Sequence, residues 1–119
     1  MFGLGPATKI YIGVDAVDMR KGFEGLYGLV RDYLGEDPLS GHLFLFTNRS
    51  RTRVKALAWD GSGLWVCAKR LEKGRFRWPR AEGARSIGMR PEELSMLLSG
   101  MDLAAARPRK NWMRRAPAA

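Results

Sequence analysis

Arg49, Arg51, Arg53 and Lys55 recur at every second position. In an extended chain that spacing lines four cations along one side, roughly 6–7 Å apart. Lys69, Arg70, Lys73, Arg75 and Arg77 follow downstream. A guanidinium presents a planar fork of donors that matches a phosphate. These nine side chains are the candidate nucleic-acid-binding residues. Trp59, Phe76 and Trp78 are interleaved with them. Exposed, such rings stack on unpaired bases; buried, they are core, and the core reading is preferred here. No helix-turn-helix or zinc-finger spacing is present, so the expected contact is with the backbone and carries no sequence readout.

Other chemistries are poorly supplied. His42 is the only histidine and Cys67 the only cysteine, so a zinc site of the usual kinds cannot be assembled. Cys67 lies in the apolar run Leu64-Trp65-Val66-Cys67-Ala68 and is expected to be a buried, inert thiol. Asp15 and Asp18 follow a strand-like run, as carboxylates that hold Mg²⁺ in nucleases can do, with Asp60 and Glu72 as further candidates. Asp60 has a simpler role in a turn and Asp18 as a helix cap. No Ser/His/Asp set and no Walker-type glycine loop is found. No catalytic residue, metal or cofactor is assigned.

The charge points the same way as the arginines. The net charge is +9 over 119 residues. Residues 1–48 hold four Lys/Arg against six Asp/Glu, and residues 49–119 hold seventeen against six. So one-sided a balance calls for a polyanionic partner, and DNA fits better than a lipid surface. A lone cysteine suits a reducing cytoplasm. No signal segment or membrane span is read.

Positioning these residues takes one α+β domain over 1–106, with a basic, flexible tail over 107–119. After a short strand at Lys9–Val14, Asp18 is read as the cap of a helix carrying Met19, Phe23, Leu26, Tyr27, Val30 and Leu34, stopped by Gly35. Gly22, Gly25 and Gly28 leave one side of it shaved, as if for close packing on a sheet. Three strands follow at His42–Thr47, Arg53–Trp59 and Leu64–Leu71, with Asp60-Gly61-Ser62-Gly63 as a hairpin turn. Lys73-Gly74 is read as a further hairpin leading into Arg75–Trp78. Pro91 opens a second helix with Leu94, Leu97 and Leu98 on one stripe, closing at Gly100. The expected sheet is antiparallel, of three to four strands, with one helix before it and one after.

Register follows from the turns. Trp59 should face Leu64, Leu45 should face Val54, and Lys69 should face Trp78. One face then collects Leu43, Leu45, Val54, Ala56, Ala58, Trp65, Cys67, Leu71, Phe76 and Trp78, and the first helix is assigned to it. The other collects Phe44, Phe46, Arg53, Lys55, Leu57, Trp59, Leu64, Val66, Arg70 and Arg77, with the second helix over its apolar end.

Three stretches carry a family resemblance: Asp18-Met-Arg-Lys-Gly-Phe-Glu-Gly-Leu26, then Asp37-Pro-Leu-Ser-Gly-His-Leu-Phe-Leu-Phe46, and Trp59-Asp-Gly-Ser-Gly-Leu-Trp65 running on to Lys69-Arg-Leu-Glu-Lys-Gly-Arg-Phe-Arg-Trp-Pro79. Over roughly residues 3–102 the chain resembles the TnpB accessory proteins, Orf2-like, of the insertion sequence 66 family of bacterial transposable elements. These are distinct from the longer RNA-guided nuclease of the same name. The resemblance implies a role in transposition beside a separate transposase that does the cutting. It transfers no catalytic residue. The expected function is therefore non-specific DNA contact at the element ends in aid of the transposase. A protein-only adaptor for the transposase and, more remotely, a Mg²⁺ nuclease are the alternatives.

Overall fold

In the computed structural model the described residues are 7–99. The structure has five strands: β1 (Ile10–Gly13), β2 (Leu43–Thr47), β3 (Arg53–Trp59), β4 (Leu64–Arg70) and β5 (Ser86–Met89). They form one sheet in the order β4-β3-β2-β1-β5. β1 and β2 run parallel and every other pair antiparallel. A parallel pair needs a crossover. Helix α1 (Phe23–Gly28), continuing into a wider π-helical turn at Leu29–Tyr33, supplies it. Helix α2 (Pro91–Leu98) follows β5. None of the described helices is long and apolar enough to cross a membrane.

β2 is buried throughout and feeds both cores. Phe44 and Phe46 join Leu57, Leu26 and Val30 under α1. Leu43 and Leu45 join Ile10, Ile12, Ala56, Phe76, Trp78, Leu94 and Leu97 on the side of α2. Period-two alternation in a central strand thus separates two clusters that two helices cover.

The division of residues between the faces follows the sequence reading, but the helices are exchanged. α1 covers the Phe44/Phe46 face and α2 the Leu43/Leu45 face. The reason is that β2 is apolar on both sides, so pattern alone does not say which helix takes which. Trp59 does face Leu64. Leu45 faces Ala56 rather than Val54, whose partner is Thr47. The slip is of two residues, so no side chain changes face. The sheet is mixed and five-stranded, rather than antiparallel with three to four strands, because β1 and β5 extend it past β2. α1 sits between β1 and β2 rather than before the sheet.

Arg75–Trp78 is not a strand, and Lys69 pairs with Val54. Asp18 does not cap α1, which starts after Gly22; its Oδ1 accepts the Arg20 N–H (2.8 Å) in a turn that also contains Met19. Gly22 and Gly28 face open space, so the glycines do not mark a close approach to the sheet. Cys67 is half-buried rather than buried. Gly100 and the tail from 107 lie outside the described residues.

The β3–β4 turn forms as read. Asp60 Oδ1 accepts the backbone N–H groups of Ser62 (2.9 Å) and Gly63 (2.8 Å), and Oδ2 accepts the Trp65 indole N–H at 2.7 Å. The Ser62 amide first, then the Trp65 indole, bring the Asp60 carboxyl down from 3.8 to about 2. A lowered carboxyl contributes stability in full above its unfolded value and loses it as pH falls through the folded one. Thermal melts between about pH 4 and pH 2 should therefore show the melting temperature falling, and Asp60→Asn should flatten that fall. The Asp18 carboxyl, held near 2 chiefly by the Arg20 side chain, contributes as well, as do the lowered carboxyls of Asp32 and Glu93. An unchanged acid slope in Asp60→Asn would show that this turn contributes nothing to it.

Candidate nucleic-acid interface

One end of the sheet gathers the C-termini of β1, β2 and β4 with the N-termini of β3 and β5. Three connections cross it: residues 14–22, 48–52 and 71–85. The second is a tight turn. Arg51 takes φ 60° there, and the Asn48 side-chain oxygen accepts the amides of Thr52 (3.0 Å) and Arg53 (3.1 Å). This lifts Arg49 to the surface beside Arg51, with Arg53 leading into β3.

The third connection is a belt along the whole sheet end. It leaves β4 with the Leu71 amide bonded to Thr52 O (2.9 Å), then passes the turn with the Phe76 amide on Arg51 O (2.7 Å). It passes β1 with the Trp78 indole N–H on Gly13 O (2.7 Å). It joins β5 where Arg85 O accepts the Val14 amide (2.9 Å). Alternation along the belt explains its two sides. Leu71, Phe76 and Trp78 are buried, while Lys73, Arg75 and Arg77 are exposed. Phe76 (1% exposed) and Trp78 (4%) are thus core, and neither offers a face to a base.

Seven of the nine sequence candidates therefore reach this sheet end directly, from the turn, from the first residue of β3 and the last of β4, or from the belt, while Lys55 and Lys69 are turned to other partners. Arg53 and Arg70 are direct cross-strand partners. Met19, Arg53, Lys55, Ala68, Arg70 and Glu72 line an open groove there. Lys55 is half-buried and its ammonium is committed to Lys21 O at 2.9 Å, so it fastens the 14–22 connection. Lys69 lies on the opposite side of the sheet from Arg70, and its ammonium sits 2.6 Å from Leu98 O at the end of α2. That is a favourable place for a cation.

Two ion pairs at this end are open to solvent. Arg70 meets Glu72 at 3.5 Å with both side chains largely exposed, and Arg20 meets Asp18 at 2.7 Å. Exposed pairs of this kind hold weakly.

Arg20, Lys21, Arg80 and Arg85 are outside the nine candidates and belong to the same end. The parallel β1–β2 pair puts the first two there, and β5 brings in Arg85. Arg85 is partly occupied: its guanidinium bonds Tyr33 O (3.1 Å) and lies 4.9 Å from the Tyr33 ring centre. The Tyr33 hydroxyl donates to Asp15, which raises the Tyr33 pKa. Of the carboxylates weighed for a metal, Asp15, Asp18 and Glu72 are at this end and Asp60 is at the far end of β3. No three metal-ligating side chains come together among the described residues. His42 Nδ1 accepts the Lys9 amide (3.0 Å) at the opposite end, a structural role.

The chain is thus an α+β domain with a core on each face of a five-stranded sheet and a cationic belt across one sheet end. The family described as IS66 Orf2 like protein matches residues 8–108, and the chain belongs to it. This family places it among the accessory proteins of insertion-sequence transposition and alongside the element's transposase. Two proteins of Sinorhizobium fredii (strain NGR234) are similar along nearly their whole length. The uncharacterized protein y4hO is 40% identical over 112 residues, covering 94% of this chain and 95% of its own. The uncharacterized protein y4jC is 36% identical over 102 residues, covering 86% of each. No solved structure matches the chain.

Proposed function

We propose that this protein assists transposition by holding DNA through its backbone at the cationic sheet end, while its transposase performs the chemistry. One observation carries the reading. Cations from the 48–52 turn, from β3 and β4, and from the belt, separate in sequence, share one end of the fold. The Arg side chains there suit phosphate oxygens. The buried belt aromatics leave electrostatics as the source of affinity, so one sequence should serve as well as another.

Fluorescence anisotropy with labelled duplexes of element-end and unrelated sequence tests this. Binding of about micromolar strength is expected at low salt, equal on both duplexes, with a log–log salt slope of about −0.9 for each phosphate neutralised. A preference for one sequence would contradict backbone-only contact. Undetectable binding at low salt would leave the adaptor reading. That reading has its own observation in Trp65, which is 48% exposed yet held in place by Asp60. Rigid exposed aromatics are common anchors for protein partners.

A further inference from the structure

Arg53 and Arg70 stand directly opposite each other on β3 and β4. Both side chains are exposed on the α1 side of the sheet, the side that also carries the half-buried Lys55. Like charges at facing positions of an antiparallel pair oppose folding. The carboxylate at hand, Glu72, meets Arg70 at 3.5 Å, and both of those side chains are well exposed. Both arginines line one open groove, with Ala68 and Met19 as apolar lining. The small Ala68 side chain is opposite Lys55, whose ammonium is already turned to Lys21 O. The groove thus has both arginines in its lining. An arrangement that costs stability in the free protein and suits an anion marks a binding position.

We propose that the Arg53/Arg70 groove is a preformed seat for one phosphate of the DNA backbone, with its two arginines mutually repulsive until that phosphate is bound. The seat deepens the DNA-binding reading and rests on it for the identity of the anion. The phosphate accepts from both guanidinium groups, and Glu72 gives up its weak contact with Arg70. Free phosphate or sulfate presents the same oxygens, so the seat can be probed without DNA.

The test compares the full chain with Arg53→Gln and, separately, Arg70→Gln. Arg53 is the cleaner position because its backbone groups, not its guanidinium, tie it to Asn48 and Thr47. In chloride, each variant should melt about 2 °C above the parent, through relief of repulsion. Replacing chloride by sulfate at equal ionic strength should raise the parent's melting temperature and leave both variants nearly unmoved. On duplex DNA, each variant should lose about 0.9 from the log–log salt slope. Variants that melt no higher than the parent and gain as much from sulfate would overturn the seat, even if the parent binds DNA. A seat that responds to sulfate in a protein that does not bind duplex would instead sustain the anion site and remove its assignment to DNA.

Discussion

Trp78→Ala is expected to cost about 3–5 kcal/mol, a large share of the roughly 5–15 kcal/mol that holds a domain folded. Three effects add. The indole is only 4% exposed and lies in the same cluster as Ile12, Leu45, Phe76 and Leu97, so truncation forfeits the transfer energy of a large ring and leaves a cavity. Its N–H is the donor to Gly13 O, and a buried carbonyl left without a partner adds about 1–3 kcal/mol if no water reaches it. The surroundings have little freedom to collapse. β1, whose Gly13 carbonyl holds the indole, is paired on both sides. Urea unfolding followed by circular dichroism measures the destabilisation, and Trp78→Phe should recover much of it, because the apolar ring returns without the hydrogen bond. A cost below about 1 kcal/mol for the alanine variant would mean that Trp78 does not anchor the belt to the core. The variant also bears on the proposed DNA contact: Lys73, Arg75 and Arg77 ride on the segment that Trp78 pins.

That anchoring role was only half legible in the sequence. Phe76 and Trp78 alternate with Arg75 and Arg77, and the alternation correctly implies buried rings and exposed cations. It does not tell a strand from an extended belt, because both have a period of two. What separates them is where the backbone hydrogen bonds go: the Phe76 amide bonds a turn carbonyl and the Trp78 indole bonds a strand end, so no ladder forms. The Asp60–Gly63 turn was legible since its side-chain acceptor and its glycine at φ 101° are local requirements. β5 was not. Ser86-Ile87-Gly88-Met89 is short, has one strongly β-forming residue, and becomes a strand by pairing with the edge of β1, a partner far away in sequence. The same distance hid the crossover role of α1 and, with it, Arg20, Lys21 and Arg85 as members of the cationic end. Local spacing found the cations of the turn and the hairpin. Topology found the rest.

The largest functional effect is expected from neutralising the cations at the turn and the adjoining strand ends together. Arg49→Gln, Arg51→Asn, Arg53→Gln and Arg70→Gln remove four positive charges from one region while leaving the buried belt residues in place. Asn is chosen at 51 because the backbone there has φ 60°, a conformation Asn tolerates better than most side chains. The hydrogen bond from the Phe76 amide uses the carbonyl of residue 51 and survives the exchange. Duplex affinity at low salt should fall roughly 10²–10³-fold, at up to about one order of magnitude for each phosphate no longer held, and the salt slope should flatten by about 0.9 for each. The fall should be the same on every sequence, since no base edge is read. Unfolding would mimic the weaker binding but not the pattern: the four changes act on exposed or half-buried side chains, one pair of which repels, so the melting temperature should hold or rise. Lys9→Gln, at the opposite end of the sheet where β1 begins, alters net charge by one unit without touching the cationic end and should leave affinity nearly unchanged. If the quadruple variant binds duplex as tightly as its parent, the cations of this end do not face DNA, and the belt's surface has to be explained by an acidic protein partner.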